Sequence, residues 1–182
     1  MADNQTDKWS ELIAHCLEGQ PKAQKQLFDL LAPKMYAVCL RYAKDPDEAK
    51  DVLQESFIRV FKHLASFEKK GAFEGWVKRI FVNTSIEFYR RNLKHSVLDN
   101  IEQLPDVGIE SHTIALLKQA DLMALVNRLP TGYRTVFNLF AIEGYTHEEI
   151  AEMLGISEST SKTQLHKARL HLQAWVLKQQ LK

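Results

Sequence analysis

Basic, amide and aromatic side chains are interleaved between residues 76 and 94, a combination suited to nucleic acid. This stretch contains five Lys or Arg residues and a single acid, Glu87. Cations and amides hydrogen-bond to phosphate oxygens, and aromatic rings stack on unpaired bases. An ordinary basic helix with its aromatic rings in a core has the same composition, so both interpretations stay open. Helical spacing predicts an outward face of Arg79, Asn83, Ile86 and Arg90, and an inner face of Trp76, Val77, Ile80, Thr84 and Phe88.

A second candidate nucleic-acid site is the C-terminal stretch. Residues 145–158 contain four acids and no Lys or Arg, whereas residues 159–182 contain five Lys or Arg and no acid. A basic helix that begins with short polar side chains fits the DNA major groove. A helical hairpin with a basic tail is the alternative. The outward residues are predicted to be Ser159, Lys162, Thr163, His166 and Lys167.

A third candidate surface, of acidic and amide character, lies on the helix predicted from residue 45 to residue 64. Asp51, Gln54, Glu55 and Ile58 recur three or four residues apart, opposite an apolar stripe. This composition suits a protein partner, although a solvated helix face has the same pattern because single exposed apolar residues are common.

Residue types for catalysis or metal binding do not form a recognisable group. The seven histidines are scattered, Cys16 and Cys39 lack metal-ligand spacing, and no Gly-rich phosphate loop occurs. The sequence therefore predicts a protein that is not an enzyme and has no catalytic residue, metal, cofactor or small-molecule substrate.

The elements that position these residues all have helical periodicity. Asp45-Pro46-Asp47-Glu48 predicts a helix start with an Asp45 cap and a capping box closed by Glu48. Earlier helices are expected from Trp9, after Pro21, and from Pro33, which starts or kinks the next helix; residues 1–8 are expected to fray. The fold class predicted is all-α.

The C-terminal part has helix caps and turn residues at the spacing of a helix-turn-helix. Thr146 begins a capping box, Gly155 makes a tight turn, and Ser157 caps a last helix that starts near Glu158. The preceding helix is expected to end at Gly144. Leu165, Ala168, Leu172 and Trp175 are predicted to face inward.

Periodicity weakens in the acidic segment between the two parts. Residues 95–117 contain four acids and no Lys or Arg. We therefore predict a helical domain over residues 9–94, an acidic flexible linker over 95–117 and a helix-turn-helix domain over 118–178. Since no signal peptide or membrane-length apolar run is found, the cytoplasm is the expected location.

Two blocks of motifs, in this order, resemble bacterial sigma factors of the sigma-70 family, in the small extracytoplasmic-function (ECF) group. Residues 47–61, DEAKDVLQESFIRVF, resemble region 2.2. Residues 75–80, GWVKRI, with Asn83 and Arg90-Arg91, resemble regions 2.3 and 2.4. Seven short segments resemble region 4: residues 129–130 (LP), 133–134 (YR), 136–137 (VF), 143–145 (EGY), 149–151 (EIA), 154–157 (LGIS) and 168–169 (AR).

The resemblance implies roles for the three candidate surfaces. The face of Asp51, Gln54, Glu55 and Ile58 would dock on the clamp coiled coil of core RNA polymerase. The last helix would read the −35 element through Ser159, Lys162, Thr163, His166 and Lys167, and the linker would thread into polymerase channels. The residues implied to melt and read the −10 element are Lys69, Lys70, Phe73, Trp76, Arg79, Asn83 and Arg90.

Four positions depart from the family pattern. Lys50 replaces a usual acid, Ser161 puts a hydroxyl where an apolar side chain normally packs, Thr163 stands where Ser is usual, and Gln164 removes a usual charge. The −35 sequence that is read is therefore expected to differ.

The function that the resemblance implies is that of an alternative sigma factor, which binds core polymerase and promoter DNA. The family also implies an anti-sigma factor as a partner, often a membrane protein. The rival hypothesis is a stand-alone helix-turn-helix regulator, which would not need the acidic and amide face on the helix of residues 45–64.

Overall fold

The computed structural model describes residues 3–68, 72–93 and 119–180. Within these ranges every regular element is helical and no strand occurs, which confirms the all-α prediction. The chain divides into two compact units, Met1–Asn92 and Leu93–Lys182. None of the described helices is long and apolar enough to cross a membrane. The predicted linker, residues 95–117, lies outside the described residues, as do Lys69 and Lys70.

The first unit is built from four α-helices and one short 3₁₀ turn among its described residues. The elements are α1 (Asp3–Leu17), α2 (Pro21–Tyr42), α3 (Pro46–His63), a 3₁₀ turn (Leu64–Ser66) and α4 (Phe73–Leu93). Helix α1 begins at Asp3, six residues before the predicted start at Trp9, which corrects the start of this helix.

Helix α2 corrects a prediction about Pro33. A separate helix starting at Pro33 was one expectation, but α2 runs continuously through it. A proline inside a helix removes one backbone hydrogen bond. Leu31 and Met35, on either side, are both buried, and this packing holds the helix across the proline.

Helix α3 begins with a cap that differs in one detail from the prediction. The Asp45 carboxylate accepts hydrogen bonds from the backbone N–H groups of Asp47 (3.1 Å) and Glu48 (2.8 Å), as a cap should. The Glu48 carboxylate does not close the box on Asp45; it accepts from the backbone N–H of Lys44 at 2.6 Å and from the Asn92 side chain. This second bond ties the start of α3 to the end of α4.

Aromatic packing fixes α3 between its neighbours. Phe57 meets Phe81 of α4 edge-on at 5.2 Å and Phe28 of α2 at 4.5 Å between ring centroids. With α3 held on both sides, its remaining face is the one left to solvent. The side chains of this core that are almost completely buried include Leu27, Leu31, Val52, Val60, Leu64, Val77, Phe81 and Val82.

The second unit comprises α5 (Gln119–Asn127), α6 (Thr131–Phe137), a π-helical turn (Asn138–Ile142), α7 (His147–Leu154) and α8 (Glu158–Gln180). Its core joins α5, α6 and α8 through Leu125, Val126, Leu129, Tyr133, Ala168, Leu172 and Val176. The π turn ends before Gly144, whose φ of +81° is accessible to glycine at little cost.

The turn between α7 and α8 has the predicted chemistry. Thr146 and Glu149 form a reciprocal capping box at the start of α7, and Gly155 has a left-handed φ of 68° after its end. The Ser157 hydroxyl accepts from the backbone N–H of Thr160 at 3.0 Å, which caps α8. These local interactions fix the short connection between the two helices.

Candidate functional sites

The face of α3 turned away from the core is the surface that we call the α3 stripe: Asp51, Gln54, Glu55 and Ile58. At about 100° per residue these four positions span an arc of about 100°. Asp51 and Gln54 are exposed, and Ile58 is 56% exposed, the largest exposed fraction among the large hydrophobic residues described. An isoleucine held on a capped, well-packed helix between polar side chains can insert into a partner without rearrangement.

Glu55 is the member of the α3 stripe that already has a partner. Its carboxylate accepts from Nε of Arg59 at 3.0 Å, while a terminal nitrogen of Arg59 contacts Glu87 of α4 at 2.8 Å. The Arg59 hydrogen bond lowers the pKa of the Glu87 carboxyl. The same hydrogen bond, together with the charge of Glu87, raises the pKa of the Arg59 guanidinium above its usual value. Arg59 therefore links the α3 stripe to α4, a connection that helical periodicity alone did not indicate.

The outward face of α4, which we call the α4 basic face, consists of Arg79, Asn83 and Arg90. All three are exposed. At about 100° per residue they fall within an arc of about 40°. Two cations and an amide aligned along one side of a helix can contact successive phosphates or base edges.

Two residues predicted on or beside this face are buried instead. Phe73 is 4% exposed, and its ring lies 5.2 Å from Trp9 and 5.1 Å from Phe67, so it supports the helix start from inside and cannot contact a base directly in this conformation. Ile86, predicted to face outward, is also 4% exposed. The buried arc of α4 is wider than one stripe because Phe81, Val82 and Tyr89 also face the interior.

Trp76 occupies an intermediate position. It is half-buried, with ring centroids 5.5 Å from Phe67 and 5.9 Å from Phe73. Part of the indole therefore remains accessible. The structure leaves Trp76 available for stacking while its neighbours hold it in place.

The outward side of α8 carries all five residues predicted there, and all five are exposed: Ser159, Lys162, Thr163, His166 and Lys167. Their polar contacts are local. The Lys162 ammonium pairs with Glu158 at 2.7 Å, which lowers the pKa of that carboxyl, and the Ser159 hydroxyl lies 2.8 Å from that of Ser157. Since exposed pairs of this kind contribute about 0–1 kcal/mol, DNA can displace them at little cost.

One interaction behind α8 was missed by the sequence reasoning. The sequence predicts for Ser161 only that an apolar side chain is missing at a position where one normally packs. Ser161 is completely buried, and its hydroxyl lies 2.9 Å from Nδ1 of His147. A serine at a position that is normally apolar could have indicated this contact, because buried hydroxyl groups nearly always have a hydrogen-bond partner. Gln164, by contrast, is half-buried and its buried Oε1 has no hydrogen-bond partner within the described residues.

No group of three or more metal-ligating side chains occurs among the described residues. The described residues comprise a helix-turn-helix unit whose last helix has an exposed polar side, and a helical unit with two exposed polar faces. The first of these features is typical of helix-turn-helix DNA-binding proteins.

Family models agree on both units. The model of sigma-70 region 2 matches residues 27–94, and that of sigma-70 region 4 matches residues 119–172. The chain belongs to the sigma-70 family, in its ECF group, and is an alternative sigma factor that directs transcription initiation.

Individual relatives are similar over most of the chain. RNA polymerase sigma factor SigV of Bacillus subtilis is 33% identical over 135 residues, which is 73% of this chain and 78% of SigV. ECF RNA polymerase sigma factor SigE of Mycolicibacterium smegmatis is 30% identical over 152 residues; the match covers 81% of this chain but only 59% of that protein. The solved structure of the Bartonella quintana sigma factor RpoE with the anti-sigma factor NepR is 23% identical, with a TM-score of 0.47, over 85% of this chain and 96% of that one.

Proposed function

We propose that this sigma factor binds the clamp coiled coil of core RNA polymerase through the α3 stripe. The observation that carries the proposal is Ile58, 56% exposed and flanked by Gln54 and Asp51 on a helix whose other side is packed. An apolar residue ringed by polar groups has the composition of a small interface core. A DNA-binding regulator that acts without polymerase does not require such a face.

The α4 basic face engages the −10 element in this proposal. Arg79 and Arg90 supply phosphate or base contacts, and Asn83 can form paired hydrogen bonds with an exposed base edge. The half-buried Trp76 provides a stacking surface for an unpaired base. Lys69 and Lys70 add positive charge in the sequence that precedes α4.

The outward side of α8 reads the −35 element. Its five exposed polar residues lie on the second helix of a helix-turn-helix, the element that enters the major groove in this motif. Lys162 is the long cation near the helix start and can reach a guanine edge or a phosphate. Ser159, Thr163 and His166 provide shorter contacts beside it, and Lys167 adds charge.

The domain boundaries follow the three roles: residues 9–94 for polymerase and −10 binding, 95–117 as a linker, and 118–178 for −35 binding. The two compact units support this division. The protein acts in the cytoplasm and contributes binding energy and base selection, while polymerase performs the chemistry. Family membership makes an anti-sigma factor a further proposed partner, which can be membrane-bound.

Run-off transcription with core polymerase on genomic fragments tests the proposal and finds the promoter in one experiment. Start sites that depend on the added protein are expected, each preceded by common −35 and −10 sequences. Gln54→Ala should weaken the binding of polymerase, whereas Gln26→Ala, an exposed glutamine of α2, serves as the matched control. DNA binding without any association with core polymerase would instead support the stand-alone regulator.

A further inference from the structure

A hydrogen bond between two side chains joins the two helices of the helix-turn-helix. His147, the first residue of α7, has its Nδ1 atom 2.9 Å from Oγ of Ser161, the fourth residue of α8. Ser161 is completely buried, on the side of α8 opposite the residues proposed to read DNA. The contact therefore lies in the packed interface between the helices and not on the DNA-facing surface.

The His147 ring is held from a second direction. It stacks on Phe140 of the π-helical turn, with ring centroids 4.6 Å apart and an interplanar angle of 22°. The guanidinium of Arg169, in α8, lies 5.8 Å from the centroid of the same phenylalanine. The capping box of Thr146, immediately before His147, also fixes the backbone there. These contacts hold the His147 ring in a fixed position, against which α8 packs.

The surrounding charges favour the neutral form of the ring. Burial lowers the pKa of the His147 imidazole, and the nearby cations of Lys162 and Arg169 lower it further, while Glu158 acts in the opposite direction. A neutral imidazole has one donor and one acceptor nitrogen, and a serine hydroxyl can complement either. The bond is therefore available at neutral pH in either tautomer.

Position along α8 makes this bond important for recognition. Ser161 is one residue from Lys162 and two from both Ser159 and Thr163, within a single rigid helix. Apolar packing is non-directional, whereas a hydrogen bond restricts both distance and angle. A small rotation of α8 against α7 moves the outward side chains relative to the groove, and a directional contact at Ser161 opposes that rotation.

We propose that the His147–Ser161 pair is a positioning element that sets the angle of α8 against α7 and thereby determines which −35 base pairs are preferred. The inference rests on the proposed role of α8 as the −35 reader. It assigns the chain's own specificity to a buried serine and a half-buried histidine that lie away from the proposed DNA-reading side of α8.

The test compares single and double variants on a randomised −35 library transcribed with core polymerase. Ser161→Ala removes the hydroxyl, and His147→Phe keeps a ring against Phe140 but removes the nitrogen. Each should change the preference ratio at one or more −35 base pairs by about five-fold or more, the size of one direct base contact.

The double variant His147→Phe with Ser161→Ala separates positioning from stability. Ser161→Ala leaves the half-buried His147 ring without its partner, and His147→Phe leaves the buried Ser161 hydroxyl without its partner. The double variant leaves neither group unpaired, so its thermal stability should recover toward wild type. The altered base preference should nevertheless remain, because the directional bond is still absent. Thr135→Val is the matched control: it removes a buried hydroxyl in the same unit that bonds within its own helix, to the Thr131 carbonyl at 2.8 Å.

The outcomes are distinguishable. If circular dichroism shows folded variants whose −35 preferences equal that of wild type, the pair is only structural and the inference is overturned. The same conclusion follows if the double variant recovers wild-type preference together with stability. If wild type itself shows no −35 preference, α8 is not the reader, and both the proposed −35 role and this inference fail.

Discussion

Replacing Ile58 by alanine tests the polymerase interface at its most exposed apolar side chain. The change removes three of four side-chain carbons from the centre of the α3 stripe. It leaves intact the Asp45 cap and the Phe57 packing that hold the helix. The folded state should therefore change little, because substitutions at exposed sites usually alter stability by less than about 0.5 kcal/mol.

The expected loss of affinity follows from the exposed fraction. Complete burial of an isoleucine is worth about 1.5–3 kcal/mol, so the 56% that remains exposed can contribute about 0.8–1.7 kcal/mol on binding. Alanine retains one of the four carbons, which reduces the predicted loss to about 0.6–1.3 kcal/mol. This corresponds to a Kd for core polymerase about three- to eight-fold higher.

A matched control is available in the same unit. Leu17, the last residue of α1, is 53% exposed and lies outside the α3 stripe. Leu17→Ala removes a similar apolar area and should leave the affinity for core polymerase unchanged. Titration of labelled protein with core polymerase measures both variants, and circular dichroism checks that both remain helical.

Two results would refute the reasoning. If Ile58→Ala binds core polymerase as tightly as wild type, Ile58 is not part of the interface. If both alanine variants lose affinity equally, the effect comes from general loss of apolar surface and the α3 stripe has no special role.

Four further predictions concern other sites. Asn83→Ala and Arg90→Ala should each impair promoter opening more than polymerase binding, which permanganate footprinting of the melted DNA measures. Lys162→Ala should relax preference at one −35 base pair by about 1–3 kcal/mol in a randomised library; a uniform decrease would assign Lys162 to a phosphate. Thr146→Ala should destabilise the second unit by about 1 kcal/mol, detected as a lower Tm. Because burial lowers the His147 pKa below 6.5, its stabilising contribution is complete above that pH and is lost as the pH falls through the folded-state pKa. Between pH 7.5 and about 5, the Tm of wild type should consequently decrease more than the Tm of the His147→Asn variant.

The helix starts could be predicted because their causes are local. The Asp45 and Thr146 caps use hydrogen bonds that span two or three residues, so the sequence alone contains both partners. Gly155 follows the same logic, since its left-handed φ serves the helix end immediately before it. The exposed positions of the α3 stripe and of α8 could also be predicted from the sequence, since each helix has one clearly polar side.

Helix α4 shows the limit of periodicity. A helical wheel orders residues around the axis but does not say how wide an arc the neighbouring helices cover. Ile86 lies about 20° from Arg79 on that wheel, yet one is buried and the other exposed. Phe73 was misassigned for a related reason: the helix begins at Phe73, so its ring joins the Trp9 and Phe67 cluster instead of a loop.

The interactions that no pattern indicated are those between side chains on different helices. Arg59 and Glu87 are 28 residues apart, and His147 and Ser161 are 14 apart; each pair meets only because two helices cross at a particular angle. A polar residue at a usually apolar position therefore predicts only lost packing, because its partner lies on another helix. Ser161 differs in this respect from buried Thr135, whose hydroxyl bonds to a carbonyl of its own helix, because the Ser161 hydroxyl meets a side chain of another helix. The departure from the family pattern at Ser161 is thus a position where a polar side-chain contact joins α7 to α8 in this chain.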